Sequence, residues 1–183
     1  MRLLVLDIDE TLLYASTKAL ERQPDFTMGR YSVYLRPHLQ KFLDFAFEHF
    51  RVGIWTSATR TYAQKILAPL LKDREVEFLW TRERCTRRID PETQETVFIK
   101  DLKKLKRRGY CLEEILVVDD SPEKIQRQYG NFIRVAPFYG STEDRELALL
   151  PEYLLRLDQI KNVRKVEKRN WRQQITADTV DKI

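Results

Sequence analysis

One short segment near the N-terminus restricts the fold more than any other. Leu3 to Leu6 form an unbroken apolar run that leads directly into Asp7 and Asp9. An apolar run without alternation is typical of a strand buried on both faces, as in a parallel sheet covered by helices. Side chains two residues apart on a strand point to the same face, so we expect Asp7 and Asp9 to converge. The segment therefore predicts a buried parallel strand with two carboxylates just beyond its carboxyl end.

The paired acids need an explanation, because like charges that are held together repel each other. One interpretation is an Asp-containing turn that only closes the strand. The other is a ligand site, since open α/β sheets bind ligands beyond the carboxyl ends of their strands. Asp7 and Asp9 alone do not decide between the two.

The rest of the chain alternates between strand-like and helix-like segments. This alternation predicts an α/β fold with a central, mostly parallel sheet and helices on both faces, a Rossmann-like core. We assign residues 1–160 to this domain and residues 161–183 to a basic, partly helical C-terminal tail. The strands are expected at residues 31–35, 51–55, 76–80, 114–118 and 132–135, and the helices at residues 36–49, 59–71, 100–109, 121–130, 143–149 and 151–160.

Residues 84–99 differ in character from the sheet segments. Two polar stretches, Cys85–Ile89 and Thr96–Ile99, flank a turn-forming sequence at residues 90–94 and predict a small β-hairpin insertion. Only 46 residues separate Asp9 from Thr56, and 43 separate Thr56 from Lys100. Strands and a helix already use part of each interval, so we expect no large cap domain and an open cleft.

Composition narrows the class of protein. A hydrophobic fraction of 43% and a charged fraction of 33% are typical of a soluble globular protein, and no apolar run reaches the ~20 residues of a membrane helix. Cys85 and Cys111 are too few for a disulfide framework, and the first strand follows Met1 directly. We therefore expect a cytoplasmic protein, or a nuclear one if the source is eukaryotic, with reduced thiols, no signal peptide and no membrane partner.

The net charge of +5 is distributed unevenly. Residues 82–108 contain ten Lys and Arg against five Asp and Glu, and residues 161–183 contain seven against three. Because the basicity is local, the pI alone does not indicate a nucleic-acid-binding protein. The basic stretch at residues 82–108 favours an acidic partner, although its arginines could equally form a solvated face.

Polar side chains follow three of the predicted strands. Asp7 with Asp9, Thr56 with Ser57, and Asp119 with Asp120 each stand at a strand end, and Lys100 lies at a fourth connection. These ends meet at one edge of a parallel sheet, so the four features can form one site. Carboxylates are hard oxygen ligands that suit Mg²⁺ together with substrate phosphate. One carboxylate can attack phosphorus, and a second can move the proton of the leaving oxygen and of water.

The motifs also carry a resemblance. Asp7-Ile8-Asp9-Glu10-Thr11, Thr56, Lys100 and Asp119-Asp120 are similar to the four ordered motifs of the haloacid dehalogenase (HAD) superfamily of phosphatases. The closer resemblance is to the NLI-interacting-factor-like small phosphatases that act on the C-terminal-domain tail of RNA polymerase II. It covers about residues 2–157 and rests on five segments, namely Asp7-Ile8-Asp9-Glu10-Thr11-Leu12, Leu35-Arg36-Pro37-His38, Trp55-Thr56-Ser57-Ala58, Phe98-Ile99-Lys100-Asp101-Leu102 and Val118-Asp119-Asp120-Ser121-Pro122.

The resemblance implies a role for each site residue. Asp7 would be the nucleophile and Asp9 the general acid and base. Mg²⁺ would be held by the Asp7 carboxylate, the Asp9 main-chain carbonyl and Asp120, with Asp119 ligating through water. The expected phosphate contacts are Thr56, Ser57 and Lys100, and the expected substrate contacts are Tyr62 and Arg82.

Three features depart from the family pattern. Asp119-Asp120 replaces the usual Asp-Asn, Thr56-Ser57-Ala58 replaces Thr-Ala-Ser, and residues 14–34 do not match clearly. Asn and Asp are both oxygen ligands, so we expect metal binding to survive, while the mismatch at residues 14–34 leaves the substrate open.

These observations predict a monomeric phosphatase of phosphoserine or phosphothreonine in proteins. The alternatives are the same chemistry on nucleic-acid termini, which we do not favour, or on small phosphoesters. A non-catalytic scaffold of the same fold is a third interpretation, although the intact Asp7 and Asp9 pair argues against it.

Overall fold

The computed structural model describes residues 1–92 and 94–180 of the chain. Its strands are β1 (Leu3–Leu6), β2 (Leu13–Ser16), β3 (Phe26–Met28), β4 (Tyr31–Leu35), β5 (Arg51–Trp55), β6 (Phe78–Trp80), β7 (Thr86–Ile89), β8 (Thr96–Ile99), β9 (Ile115–Asp119) and β10 (Phe132–Arg134). Its α-helices are α1 (Leu39–His49), α2 (Arg60–Leu71), α3 (Lys103–Lys106), α4 (Glu146–Asp158) and α5 (Trp171–Val180).

A five-stranded parallel sheet forms the centre of the fold. The strand order is β10-β9-β1-β5-β6, so β1 is the middle strand and its residues are all buried. Leu3 lies opposite Arg51 on one side and Ile115 on the other. Because the neighbouring strands are parallel and in step, their carboxyl ends meet at one edge. The predicted α/β fold with a central parallel sheet is confirmed.

Two apolar cores cover the two faces of this sheet. Alternate residues of β1 contribute to each, with Leu4 and Leu6 in the larger core and Leu3 and Val5 in the smaller one. Gly53 on β5 allows close packing within the sheet, since a Cβ atom there would lie 2.5 Å from the Phe78 ring.

Two small insertions extend from the sheet. The strands β2, β4 and β3 form an antiparallel sheet in that order, and β7 pairs with β8 as the predicted hairpin. Residue 93 of the hairpin's predicted turn lies outside the described residues. The three-stranded sheet is a structure that the mixed sequence of residues 14–26 did not predict. Neither insertion is a large cap domain, as expected.

Residues 121–130 do not form the predicted helix, and this interpretation was wrong. The segment contains separate 3₁₀ turns at Pro122–Lys124 and Tyr129–Asn131. In an α-helix the Lys124 carbonyl would accept from the N–H of Gln128. It instead accepts from the N–H of Lys100 at 2.8 Å, while Gln128 N–H donates to Ile125. A long-range hydrogen bond thus replaces a helical one.

The two helices expected at residues 143–149 and 151–160 are one helix, α4. Pro151 lies within it and, as a proline, has no N–H to donate to the Leu147 carbonyl. In the basic tail, Trp171 is completely buried, its Nε1 donates to the Arg134 carbonyl at 2.8 Å, and its ring centroid lies 5.6 Å from that of Tyr153. The boundary between residues 160 and 161 stays a prediction, and residues 181–183 of the tail lie outside the described part of the chain.

Within residues 1–92 and 94–180, none of the helices combines the length and the apolar character that crossing a membrane requires. Cys85 and Cys111 are both free thiols.

Candidate active site

Three buried carboxylates meet at the carboxyl edge of the sheet. Asp7 follows β1, Asp119 ends β9, and Asp120 comes next. The three side chains offer oxygen atoms that all lie within 4.8 Å of one another. The Asp7 N–H continues the ladder by donating to the Val118 carbonyl at 3.1 Å, which fixes its backbone beside β9. The ends of β1 and β9 therefore meet in the structure, as expected.

Lys100 links two of these carboxylates. Its ammonium group lies 2.8 Å from Asp7 Oδ1 and donates to Asp119 Oδ2 at 2.5 Å. The residue follows β8 and is completely buried, so it is not a surface lysine. Its placement depends on the backbone bond to Lys124 that also interrupts the predicted helix.

Lys124 is a second lysine at the same carboxylate, and the sequence analysis did not identify it. Its Nζ donates to Asp7 Oδ2 at 3.2 Å. The two oxygens of Asp7 therefore face two different ammonium groups. The residue lies in a segment of mixed charge that was predicted to be helical, so the sequence contained no specific signal for this contact.

Asp120 is held by two hydroxyl groups. The buried Thr11 hydroxyl donates to Asp120 Oδ1 and accepts from the Asp120 N–H, both at 3.2 Å. Ser121 Oγ donates to Asp120 Oδ2 at 2.9 Å. Thr11 is close to these groups because Glu10 adopts a left-handed conformation with φ of 56°, which turns the chain after β1. The sequence predicted neither contact with Asp120, since Ser121 was expected to cap a helix and Thr11 had no assigned role.

Asp9 lies apart from the three-carboxylate group and contacts a tyrosine. The Tyr62 hydroxyl, on α2, donates to Asp9 Oδ1 at 2.5 Å. Burial raises the pKa of Asp9 to about 6, with the nearby negative charge of Asp7 adding to the effect and the Tyr62 hydrogen bond opposing it. A carboxyl group in this range can both donate and accept a proton near neutral pH.

Asp7 has the opposite electrostatic character. Burial alone would raise the pKa of Asp7, but the charges of Lys100 and Lys124 together hold it below its ordinary value. Burial and the adjacent charge of Asp7 raise the pKa of Asp119, which among the described residues forms an ion pair with one lysine, Lys100. Asp7 is thus kept as a carboxylate, the form that can attack or bind a cation.

The hydrogen bonds of the remaining predicted residues, Thr56, Ser57 and Arg82, join them to groups other than the carboxylates. Thr56 is buried after β5, and its hydroxyl accepts from the Ala58 N–H at 3.0 Å. It does not cap α2, because Thr59 does so. The carbonyl of Ser57 accepts from Arg82 Nε at 2.8 Å. In the described part of the chain, Thr56, Ser57 and Arg82 form no hydrogen bond or ion pair with the carboxylates.

The donor set fits a divalent cation. Asp7 Oδ1 is buried and, among the residues described, receives no hydrogen bond, since Lys100 approaches it without suitable geometry. Three carboxylates here face two ammonium groups, so a cation would add positive charge that the lysines do not supply. Hard carboxylate oxygens are the ligands that Mg²⁺ prefers.

Comparison with known proteins agrees with this geometry. The sequence model of the family described as NLI interacting factor-like phosphatase matches residues 2–164. The chain belongs to this family. The resemblance to the NLI-interacting-factor-like small phosphatases is thereby confirmed.

The chain spans different shares of its relatives' own lengths, from 28% to 91% in three examples. The chain is 31% identical over 169 residues to "CTD small phosphatase-like protein 2" of Dictyostelium discoideum, covering 88% of this chain but 28% of that protein. It is 30% identical over 172 residues to "Putative CTD phosphatase-like protein 355R" of Invertebrate iridescent virus 3, and the match covers 80% of this chain and 91% of the viral protein. It is 29% identical over 169 residues to the human "Carboxy-terminal domain RNA polymerase II polypeptide A small phosphatase 1", and the match covers 87% of this chain and 61% of the human protein.

Solved structures of low sequence identity share the fold. Fcp1, described as an essential RNA polymerase II CTD phosphatase, superposes with a TM-score of 0.54 at 17% identity, covering 98% of this chain and 49% of that one. An uncharacterized protein from Listeria monocytogenes serotype 4b superposes with a TM-score of 0.54 at 15% identity, covering 87% of this chain and all of that one.

Proposed function

We propose that the protein is a Mg²⁺-dependent phosphatase that hydrolyses phosphoserine or phosphothreonine in proteins through an aspartyl-phosphate. The observation that carries the proposal is the buried Asp7 carboxylate, which faces two lysines beside two further carboxylates. Membership of a phosphatase family supports the reaction class.

The reaction would occur in two displacements. An Asp7 oxygen attacks phosphorus, the bond to the serine or threonine oxygen breaks, and Asp9 gives that oxygen its proton. Water then attacks the phosphorus of the aspartyl-phosphate, Asp9 takes the proton from the water, and the P–O bond to Asp7 breaks to release phosphate. Tyr62 supports both steps because its hydroxyl orients the Asp9 carboxyl group.

A metal would be held by the Asp7 carboxylate, Asp120 and the main-chain carbonyl of Asp9, with Asp119 acting through water. When bound, Mg²⁺ supplies positive charge that offsets the negative charge developing on the phosphoryl oxygens. Thr11 and Ser121 would orient Asp120 for this task, since their hydroxyls hold its two oxygens.

The phosphate oxygens would be held by Lys100 together with Thr56 and Ser57. Phosphate monoester hydrolysis is accelerated by enzymes up to ~10²¹-fold, and one general acid accounts for roughly 10²–10⁴-fold, so several groups must act together. Lys100 is suited to this role because two carboxylates fix its ammonium group.

A protein substrate is favoured over a small metabolite. The insertions around the site are small, and a metabolite would need enclosure to gain contacts. Arg82 is exposed, packs over the Phe98 ring with 4.9 Å from Cζ to the centroid, and begins the basic stretch at residues 82–108. The names of the relatives point to phosphorylated protein as well. We propose a monomer that acts in the cytoplasm or the nucleus, with Tyr62 and Arg82 at the substrate.

The test is a hydrolysis panel with one matched variant. p-Nitrophenyl phosphate, phosphoserine and phosphothreonine peptides, 3′-phosphorylated oligonucleotides and small phosphoesters are offered with and without Mg²⁺. We expect turnover of phosphopeptides that requires Mg²⁺, and loss of all turnover in Asp7→Asn. Asp73→Asn, at an exposed site, is the control and should behave as wild type.

Each part of the proposal can fail separately. Near-normal activity of Asp7→Asn would refute the nucleophile. Turnover of metabolites alone would refute the protein substrate. A folded wild-type protein that hydrolyses nothing in the presence of Mg²⁺ would support the scaffold interpretation instead.

A further inference from the structure

We propose that Lys124 balances the charge of the site, so that its ammonium group weakens metal binding at the carboxylates and strengthens binding of phosphate. The inference rests on the proposed function and deepens it. Under this inference, Lys124 has opposite effects on the affinities for the metal and for phosphate.

The two lysines at Asp7 differ in how firmly they are held. Lys100 is completely buried and lies between two carboxylates, Asp7 and Asp119. The Lys124 side chain is 16% exposed, and in the described part of the chain Asp7 is its one ion-pair partner. Lys100 is therefore a fixed part of the site, whereas Lys124 has room to move from Asp7 towards an incoming anion.

The backbone of Lys124 is held by two hydrogen bonds that do not involve its ammonium group. Its N–H donates to the Ser121 carbonyl at 3.1 Å, and its own carbonyl accepts from the Lys100 N–H at 2.8 Å. A substitution that shortens or neutralises the side chain leaves both bonds in place. Such a variant removes the charge without displacing Lys100.

Counting charges gives the direction of each effect. The ionised side chains of Asp7, Asp119 and Asp120 together with two lysines leave one net negative charge. A divalent cation makes this cluster net positive, which favours a phosphate dianion. Without Lys124 the same cation would enter a more negative cluster and leave it neutral. Removing Lys124 should therefore strengthen cation binding and weaken phosphate binding.

The experiment measures the two affinities directly. Metal-free wild type, Lys124→Met and Lys124→Arg are titrated calorimetrically with MgCl₂, and then, at saturating Mg²⁺, with inorganic phosphate. For Lys124→Met we expect Mg²⁺ to bind about tenfold more tightly and phosphate about tenfold more weakly. Lys124→Arg keeps the positive charge, so its affinities for Mg²⁺ and for phosphate should both be closer to those of wild type than the affinities of Lys124→Met. Lys103→Met, at an exposed lysine, is the matched control and should change neither affinity.

Specific outcomes would overturn the inference. Unchanged or weaker Mg²⁺ binding by Lys124→Met refutes it, and so does unchanged phosphate binding. If Lys124→Met fails to fold by circular dichroism, Lys124→Gln provides the same neutral test with a polar side chain. Neither titration needs turnover, so a wild type that binds Mg²⁺ and phosphate but hydrolyses no phosphoester would refute the proposed function and leave this comparison valid.

Discussion

Thr11→Val tests whether the hydroxyl of Thr11 holds Asp120 ready for a metal. Thr11 is completely buried and makes two bonds to the same residue, donating to Asp120 Oδ1 and accepting from the Asp120 N–H, each at 3.2 Å. Valine has nearly the same shape but can do neither. The substitution therefore removes two polar contacts without leaving a large cavity.

The expected magnitude follows from these two contacts. A buried polar group that loses its partner costs about 1–3 kcal/mol, so two such groups predict a loss of roughly 2–4 kcal/mol in the free energy of unfolding of the metal-free protein. This estimate lies in the lower part of the sum of the two costs, because Ser121 still donates to the other oxygen of Asp120. Residues that orient a metal ligand typically contribute about 10–100-fold to metal affinity, and we expect a weakening of Mg²⁺ binding in that range.

Urea unfolding and calorimetric titration with Mg²⁺ measure the two effects. Thr11→Ser is the matched control, because it keeps the hydroxyl and loses only the methyl group, so its Mg²⁺ affinity should stay near that of wild type. If Thr11→Val bound Mg²⁺ as tightly as Thr11→Ser, the hydroxyl would not orient a ligand, and Asp120 would have to be held by Ser121 alone.

Two other variants test the proton carrier and the packing of the tail. Asp9→Asn should slow formation of the aspartyl-phosphate by roughly 10²–10⁴-fold and slow its hydrolysis further, as followed by acid-quenched trapping of the phosphorylated protein; equal turnover to wild type would exclude Asp9 as acid and base. Lys168→Met should lower the free energy of unfolding by roughly 2–4 kcal/mol, because the buried Lys168 ammonium donates to the carbonyls of Gly130, Val163 and Val166. Urea unfolding measures this loss, and the exposed Lys165→Met should show little of it.

The sequence predicted the features that depend on local pattern. Leu3 to Leu6 could be recognised as a central strand because burial on both faces requires an apolar run. The meeting of Asp7 with Asp119 followed from parallel pairing, which brings carboxyl ends to one edge. Lys100 was placed at the site by its position at a fourth connection and by the resemblance, but its burial between two carboxylates could not be read from its basic surroundings. The roles of these residues in catalysis stay predictions until the variants are measured.

The features that the sequence did not predict depend on long-range contacts. Residues 14–26 mix polar and apolar side chains, and the strands at their two ends, β2 and β3, both pair with β4. Ser121-Pro122 is an ordinary helix start, yet Ser121 Oγ bonds to Asp120 and does not cap a helix. Local preference was overridden in both segments by partners that are distant in sequence.

The lost helix at residues 121–130 and the second lysine at Asp7 have one structural cause. The Lys124 carbonyl accepts from the Lys100 N–H, so the two lysines are joined through their backbones while their ammonium groups face the two oxygens of Asp7. A helix starting at Ser121 would commit that carbonyl to Gln128 and break the link. Departures from local preference are expected where a functional site demands them. Here the departure places two positive charges at one buried carboxylate, and this pair lowers the pKa of Asp7, as the proposed attack on phosphorus requires.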